Sequence, residues 1–160
     1  MAPPFIAYFG AYDQTDTKTT LLQTAYDQCR LYRNYLQDSK TKLWKHIALG
    51  SWQDNQLWAT GNGWAAAGMV RVLGTIHSSS VSADFLDQQQ DLLNWTEEIV
   101  KASWQYQVRT QSYPSNLSVA YIRPQTSAGA LRNVINDNST FEDSASTALI
   151  ASATFRLVFF

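Results

Sequence analysis

The sequence predicts an all-α protein in which helices of two kinds alternate along the chain. Segments of the first kind, such as that from about Lys18 to Gln37, are apolar on one side and are typical of outer helices. Segments of the second kind, from Trp64 to Ile76 and from Ala145 to Leu157, are apolar on nearly every side and should be buried. This alternation suits an α/α toroid, whose inner helices are covered on both sides. No repeat of about 20–50 residues accompanies it.

The first two helices follow from the opening of the chain. Pro3 and Pro4 are tolerated in a first helical turn, and the apolar residues after them form a short helix that ends or bends at Gly10. In the second helix, apolar residues recur at helical spacing: Leu22, Ala25, Tyr26, Cys29, Tyr32 and Leu36. Because Cys29 lies on this apolar face and is the sole cysteine, we expect a buried thiol and no intramolecular disulfide.

The segment from Asp38 to Gly63 loses this periodicity and becomes aromatic and polar. It contains Trp44, Trp52 and Trp58. Loops of this length that carry tryptophans are more often functional than structural, because exposed tryptophan is costly. The Gly61-Asn62-Gly63 run is predicted to be a turn with positive φ, after which the buried helix begins at Trp64.

A fourth helix is predicted from about Ala83 to Trp104, with Leu86, Leu93 and Val100 at heptad spacing. The region 105–139 carries weaker patterns: 119–122 suits a short strand, and 128–131 suits part of a helix.

For the last helix, Thr140 is the predicted N-cap, with Asp143 at the third helical position. We expect one helical domain over residues 1–160.

Composition argues against several partners. The formal net charge is −1 and 16% of residues are charged, so neither nucleic acid nor an anionic membrane is expected to bind. No apolar run reaches the ~18 residues of a membrane span, and no signal peptide is visible. The sequence as read therefore predicts a cytoplasmic protein, or a secreted one if the natural chain is longer at its N-terminus. The sequons at Asn94, Asn116 and Asn138 matter only in the second case. Two histidines and one cysteine without metal spacing predict no metal, and we expect no cofactor.

Three motifs, in order along the chain, carry a resemblance to a known family. Residues 58–69 read W-A-T-G-N-G-W-A-A-A-G-M and resemble the pattern W-x-x-G-N-[GA]-W-A-A-A-G-M. Residues 3–10 are similar to P-P-F-L-A-Y-Y-G, and residues 141–149 to F-x-D-S-S-S-T-A-L-L. These patterns belong to fungal six-hairpin glycosidases that resemble glycoside hydrolase families 88 and 105, the unsaturated glucuronyl and rhamnogalacturonyl hydrolases. The resemblance implies a partial (α/α)6 toroid, about half a ring of helical hairpins.

The resemblance also implies a chemistry. In these hydrolases a carboxylic acid protonates the double bond of an unsaturated uronic acid above a tryptophan-lined sugar site. His46, in the run Trp44-Lys45-His46, matches the substrate-contacting histidine of the family's Y-x-H motif. Trp58, Asn62 and Trp64 match the sugar platform and its turn. Together with Trp44 and Thr60, they are the predicted substrate-binding residues.

Two departures weaken the match to an active hydrolase. Thr60 stands where the family has a basic residue, usually arginine, that would bind the substrate carboxylate. The family's catalytic aspartate lies just upstream of the P-P-F motif, a position that precedes Met1. Asp54, between Trp52 and Trp58, is the substitute carboxylate that we would test.

Three hypotheses follow. The first is a truncated, non-hydrolytic relative that keeps a tryptophan-lined carbohydrate-binding face for an unsaturated uronic-acid oligosaccharide. The second is an active hydrolase in which Asp54, with His46, or a carboxylate from another subunit supplies the proton. The third is an interaction or defence-type protein that keeps only the scaffold.

A half ring also predicts a homodimer or a larger homo-oligomer. Its inner helices would present apolar residues to absent neighbours, namely Met69, Val72, Leu73, Leu149, Ile150 and Phe155. The hydrophobic ends Pro3–Phe9 and Phe155–Phe160 would join this interface.

Overall fold

The computed structural model describes residues 2–13, 15, 17–108 and 130–160, and within them the chain forms five α-helices and one short hairpin of strands. The helices are α1 (Ala2–Tyr12), α2 (Lys18–Leu36), α3 (Ala59–His77), α4 (Leu86–Val108) and α5 (Ser144–Leu157), and a 3₁₀ turn over Ser82–Phe85 precedes α4. The strands β1 (Leu131–Arg132) and β2 (Glu142–Asp143) are antiparallel, with Leu131 opposite Asp143. The prediction of an all-α fold is confirmed.

The helices form two layers of an arc. In one layer α3 lies between α1 and α5, and in the other α2 packs beside α4. Each consecutive pair, α1 with α2 and α3 with α4, is a helical hairpin that joins the two layers. This arrangement of hairpins is the partial α/α toroid that the alternation of helix types predicts.

Polar and aromatic contacts hold α2 against α4. The hydroxyl of Tyr26 donates to the carboxylate of Asp91 at 2.5 Å, and its ring stacks on Trp95 at 5.5 Å between centroids. Arg33 donates to the carboxylate of Glu98 at 2.7 Å, and its guanidinium lies 5.3 Å from the Trp95 ring centroid. This pair is partly buried, so its attraction is less screened than that of a surface salt bridge.

Helix α3 lies at the centre of the core and is covered by other helices of the same chain. Met69, Val72 and Leu73 are at most 2% exposed, and Ile150 on α5 is 5% exposed. The prediction that these four residues face absent neighbours is therefore wrong, because α1, α4 and α5 pack on α3, and α3 and α4 pack on α5. Of the predicted set, Phe155 is clearly exposed, at 68%.

The predicted turn at residues 61–63 is wrong as well. Helix α3 begins at Ala59, after the extended residue Trp58, so Gly61, Asn62 and Gly63 lie inside its first two turns. The glycines serve packing instead. A Cβ added at Gly63 would lie 2.8 Å from Cβ of Leu149, so this position lets α5 approach α3 closely.

Of the heptad set predicted for α4, Val100 is buried and Leu93 packs against the core, but Leu86 is exposed. Leu86 is 67% exposed, whereas Phe85, Leu92 and Ile99 are at most 2% exposed. These three share the heptad spacing of the predicted set, so the sequence pattern alone fits either register.

The start of the last helix also differs from the prediction. Asp143, not Thr140, is the N-cap of α5, and its carboxylate accepts from the backbone N–H of Ser146 at 3.0 Å. The cause is the pairing of β2 with β1, which keeps Glu142 and Asp143 extended and delays the helix. Leu131, predicted as helical, lies in β1 for the same reason. The strand predicted at residues 119–122 lies outside the described residues.

Candidate functional site

The segment between α2 and α3 is folded back by three antiparallel bridges, which join Gln37 to Trp44, Ile47 to Asp54, and Trp58 to Val134. Two of its turns use residues with positive φ, Lys42 at 66° and Leu49 at 63°. Asp38 holds the first turn, because its carboxylate accepts from the backbone N–H of Thr41 at 2.8 Å. The folded segment brings its aromatic residues to the start of α3.

Asn62 fixes this segment to α3. Its side-chain oxygen accepts from the backbone N–H of Trp44 at 2.7 Å, and its amide nitrogen donates to the carbonyls of Trp44 at 2.9 Å and Trp58 at 3.0 Å. The side chain is 1% exposed, so these are buried polar groups that satisfy one another. Asn62 thus positions two tryptophan-bearing backbone segments and is itself closed to a ligand.

The predicted platform residues surround a cavity of about 290 Å³, here called the platform cavity. Its lining residues are Leu36, Trp44, Lys45, His46, Trp58, Gly61 and Trp64. The rings of His46 and Trp58 are 4.6 Å apart between centroids, and Trp64 is 44% exposed. Sugar rings present C–H faces that pack on aromatic surfaces, so the cavity combines apolar walls with a few polar groups, as ligand sites do.

His46 and Asp54 form a pair at the edge of this cavity. Nδ1 of His46 lies 2.9 Å from the Asp54 carboxylate, which also accepts from the backbone N–H of Gln56 at 2.9 Å. The Gln56 bond and the His46 ring lower the pKa of Asp54 below its ordinary value. Because Asp54 accepts from Nδ1–H, the neutral His46 ring presents Nε2 as an acceptor. Asp54 is not among the lining residues, so it orients His46 from behind.

Thr60 faces away from the platform cavity. Its hydroxyl donates to the Asp143 carboxylate at 2.7 Å, and the amide of Asn133 donates to the same oxygen at 3.2 Å. Burial alone would raise the pKa of Asp143, but these bonds and that from the backbone N–H of Ser146 lower it overall. The polar side-chain atoms of Thr60 and Asn62, both predicted to bind substrate, are thus engaged inside the protein.

A second cavity, of about 280 Å³, adjoins the first and shares Leu36, Trp44, Gly61 and Trp64 with it. Its other walls come from the start of α1 and from α2, including Cys29. Burial raises the pKa of the Cys29 thiol to about 12, which keeps it neutral, as expected for a structural thiol. The indole N–H of Trp44 is buried and has no hydrogen-bond partner among the described residues.

Three lining residues, Leu36, Lys45 and Gly61, are not among the predicted site residues. A Cβ added at Gly61 would lie 3.0 Å from Cε3 of Trp58, so glycine lets that ring rest on α3. Lys45 was passed over although it stands between Trp44 and His46 in the sequence, and that position was the available signal.

Two general features bear on the class of site. Within the described residues, no group of three or more His, Cys, Asp or Glu side chains could hold a metal ion. None of the helices in that part of the chain is long and apolar enough to cross a membrane.

Comparison with known proteins places this geometry in context. The family model described as Glycosyl Hydrolase Family 88 matches residues 1–156. A solved glycoside hydrolase of family 105 from C. acetobutylicum ATCC 824 has a similar structure, with a TM-score of 0.69 and 14% sequence identity. The similarity covers 98% of this chain and 40% of that one, so the chain spans less than half the length of this relative, and at this identity it shows the fold alone. No curated protein matches the sequence significantly.

The first prediction concerns Asn62. We expect Asn62→Ala to lower the free energy of unfolding by about 2–4 kcal/mol, because it leaves the buried backbone N–H and carbonyl of Trp44 without a partner. The carbonyl of Trp58 loses the side-chain bond but keeps the backbone N–H of residue 62. Urea unfolding followed by tryptophan fluorescence measures the change. Asn55→Ala, an exposed residue of the same segment, should stay within about 0.5 kcal/mol of the parent. A loss below about 1 kcal/mol for Asn62→Ala would show that the segment is held by other contacts.

Proposed function

The chain belongs to glycoside hydrolase family 88, and from this premise we propose that it binds carbohydrate in the platform cavity without hydrolysing it. The observation that carries the proposal is the convergence of Trp44, His46, Trp58 and Trp64 on one cavity. Three of these residues come from an aperiodic segment and one comes from α3. A purely structural role would not require their rings to line one open cavity. The ligand that the family suggests is an unsaturated uronic-acid oligosaccharide.

The absence of hydrolysis is argued from the carboxylates near the cavity. Protonation of the substrate needs an acid whose pKa is close to the working pH. No carboxylate is among the described residues that line the platform cavity. Asp54 is the nearest candidate, and its lowered pKa keeps it ionised at neutral pH, which suits orientation of His46 better than proton donation.

An active hydrolase is the second candidate function. It would use Asp54 and His46, which stand 2.9 Å apart, or a carboxylate from another subunit. The third candidate, an interaction or defence-type protein that keeps only the scaffold, predicts that no sugar binds. The two experiments below separate the three candidates.

The binding prediction uses isothermal calorimetry with unsaturated chondroitin and rhamnogalacturonan disaccharides. We expect one of them to bind, and we expect Trp58→Ala and Trp64→Ala each to weaken it at least about tenfold, or about 1.4 kcal/mol, through loss of the aromatic wall. Trp52→Ala is the matched control, because Trp52 is 62% exposed and does not line the cavity. Equal weakening by all three variants, or no binding by the parent protein, would contradict the proposal.

The turnover prediction uses the same disaccharides. We expect the absorbance of their conjugated double bond to stay constant, since loss of a general acid typically costs about 10²- to 10⁴-fold in rate. Turnover that disappears in the isosteric variant Asp54→Asn would establish the second candidate instead. Circular dichroism of that variant confirms that the fold is intact.

We also propose that the protein self-associates through an aromatic face made by α1 and the end of α5. Helix α1 contains no charged residue, and Phe5, Tyr8, Phe9 and Tyr12 on one side of it are 58–70% exposed. A helix that is apolar all round is normally buried. A groove of about 990 Å³ joins this side of α1 to Phe159 and Phe160.

The size of this face fits a dimer. Its six large residues are Phe5, Tyr8, Phe9, Tyr12, Phe159 and Phe160, and together they expose on the order of 700 Å². The largest apolar patch on a typical monomer is about 300–600 Å². A standard interface takes about 800 Å² from each partner, and a two-fold pairing of identical copies is the commonest way to cover such a patch.

Light scattering tests the assembly. We expect a mass near twice 18.0 kDa at micromolar concentration, and a mass near 18.0 kDa for the double variant Phe5→Ser, Phe159→Ser. Leu86→Ser is the control, because Leu86 is 67% exposed on α4, outside this face. A parent protein that runs as a single species of 18.0 kDa would refute the proposal.

A further inference from the structure

The described residues that line the platform cavity include a cationic side chain and no carboxylate. Among its described lining residues, Lys45 carries the only fixed charge, and the others are apolar, aromatic, glycine or the titratable His46. Asp54 lies behind His46, and its two oxygens already accept from His46 and Gln56. The cavity therefore offers a cation to a ligand and no opposing anion.

The backbone of Lys45 is held firmly while its ammonium group is left without a partner. Its N–H donates to the carbonyl of Leu36 at 2.8 Å, and the preceding residue, Trp44, is clamped by Asn62. In the part of the chain that the structure describes, the Lys45 side chain forms no ion pair and no hydrogen bond. Only its flexible stem must be ordered when a ligand binds.

Asp38 is the acidic group whose field reaches Lys45. Its carboxylate already accepts from the backbone N–H groups of Thr41 and Lys40, and these bonds, with a smaller contribution from the charge of Lys45, keep the pKa of Asp38 low. No salt bridge within 4.0 Å joins the two side chains. Asp38 therefore forms no ion pair with the Lys45 ammonium, and the two bonds of its own turn reach one of its carboxylate oxygens.

Lys45 is a half-buried residue beside aromatic walls, and an ammonium in such surroundings binds a carboxylate more strongly than one in open water does, because the local dielectric is lower and a charge-assisted hydrogen bond can form. Thr60 is uncharged and its hydroxyl donates to Asp143, so position 60 offers the cavity neither a charge nor a free donor. We propose that Lys45 is the carboxylate-binding residue of the platform cavity and makes the site selective for uronic-acid sugars over neutral ones. This inference rests on the proposed carbohydrate binding.

The experiment compares two ligands that differ by one charge, an unsaturated uronyl disaccharide and its carboxyl methyl ester. Calorimetry on the full chain should show the acid binding at least about tenfold more tightly than the ester. Lys45→Met should remove this preference by weakening the acid about tenfold while changing the ester less than about twofold, and it should flatten the dependence of acid binding on salt. Lys45→Arg should keep the preference, because a cation remains.

The control is Lys40→Met, which removes an exposed cation of the same segment whose side chain does not line the cavity. It should leave both affinities within about twofold. Equal binding of acid and ester by the parent, or equal loss of both in Lys45→Met, would overturn the role of Lys45 and leave carbohydrate binding standing. A parent protein that binds neither ligand would overturn the proposed function and this inference together.

Discussion

One buried amide organises the candidate site. The side chain of Asn62 satisfies backbone groups of Trp44 and Trp58, which lie 18 and 4 residues away along the chain. A loop that folds back onto a helix carries backbone donors and acceptors that water can no longer reach, and each one left unpaired is costly. A single asparagine within the first turns of α3 meets this need. The positions of Trp44 and Trp58 therefore depend on a buried residue that does not line the cavity.

The helices can be predicted from the sequence because each one is indicated by many apolar residues at helical spacing. Apolar residues recur along α2 and crowd α3, so the loss of any one observation would not change the prediction. The run Gly61-Asn62-Gly63 offers only a local clue, and in isolation glycine and asparagine favour turns. What decides the outcome is distant in sequence: Leu149 on α5 needs the space that Gly63 leaves, and Trp44 needs the amide of Asn62.

Some features of the candidate site could likewise be predicted from the sequence and others could not. Tryptophans in an aperiodic loop are conspicuous, so the platform could be predicted from composition and from resemblance. The pairing of His46 with Asp54 could not, because it depends on a turn through Leu49, whose φ of 63° a leucine rarely adopts. Lys45 was missed for a geometric reason. Neighbours in an extended segment usually point to opposite sides, yet Trp44, Lys45 and His46 line one cavity.

The buried thiol of Cys29 is a natural probe of local opening between α1 and α2. It is 4% exposed, sits in the wall formed with the start of α1, and stays protonated because its pKa is raised to about 12. A thiol reagent reaches it more readily when α1 separates from α2, and where closure is faster than the reaction the protein is modified in proportion to the open population. The rate of modification then reports the equilibrium between closed and open forms of that one hairpin. The natural sequence thus permits a local free energy of opening to be measured without an engineered probe.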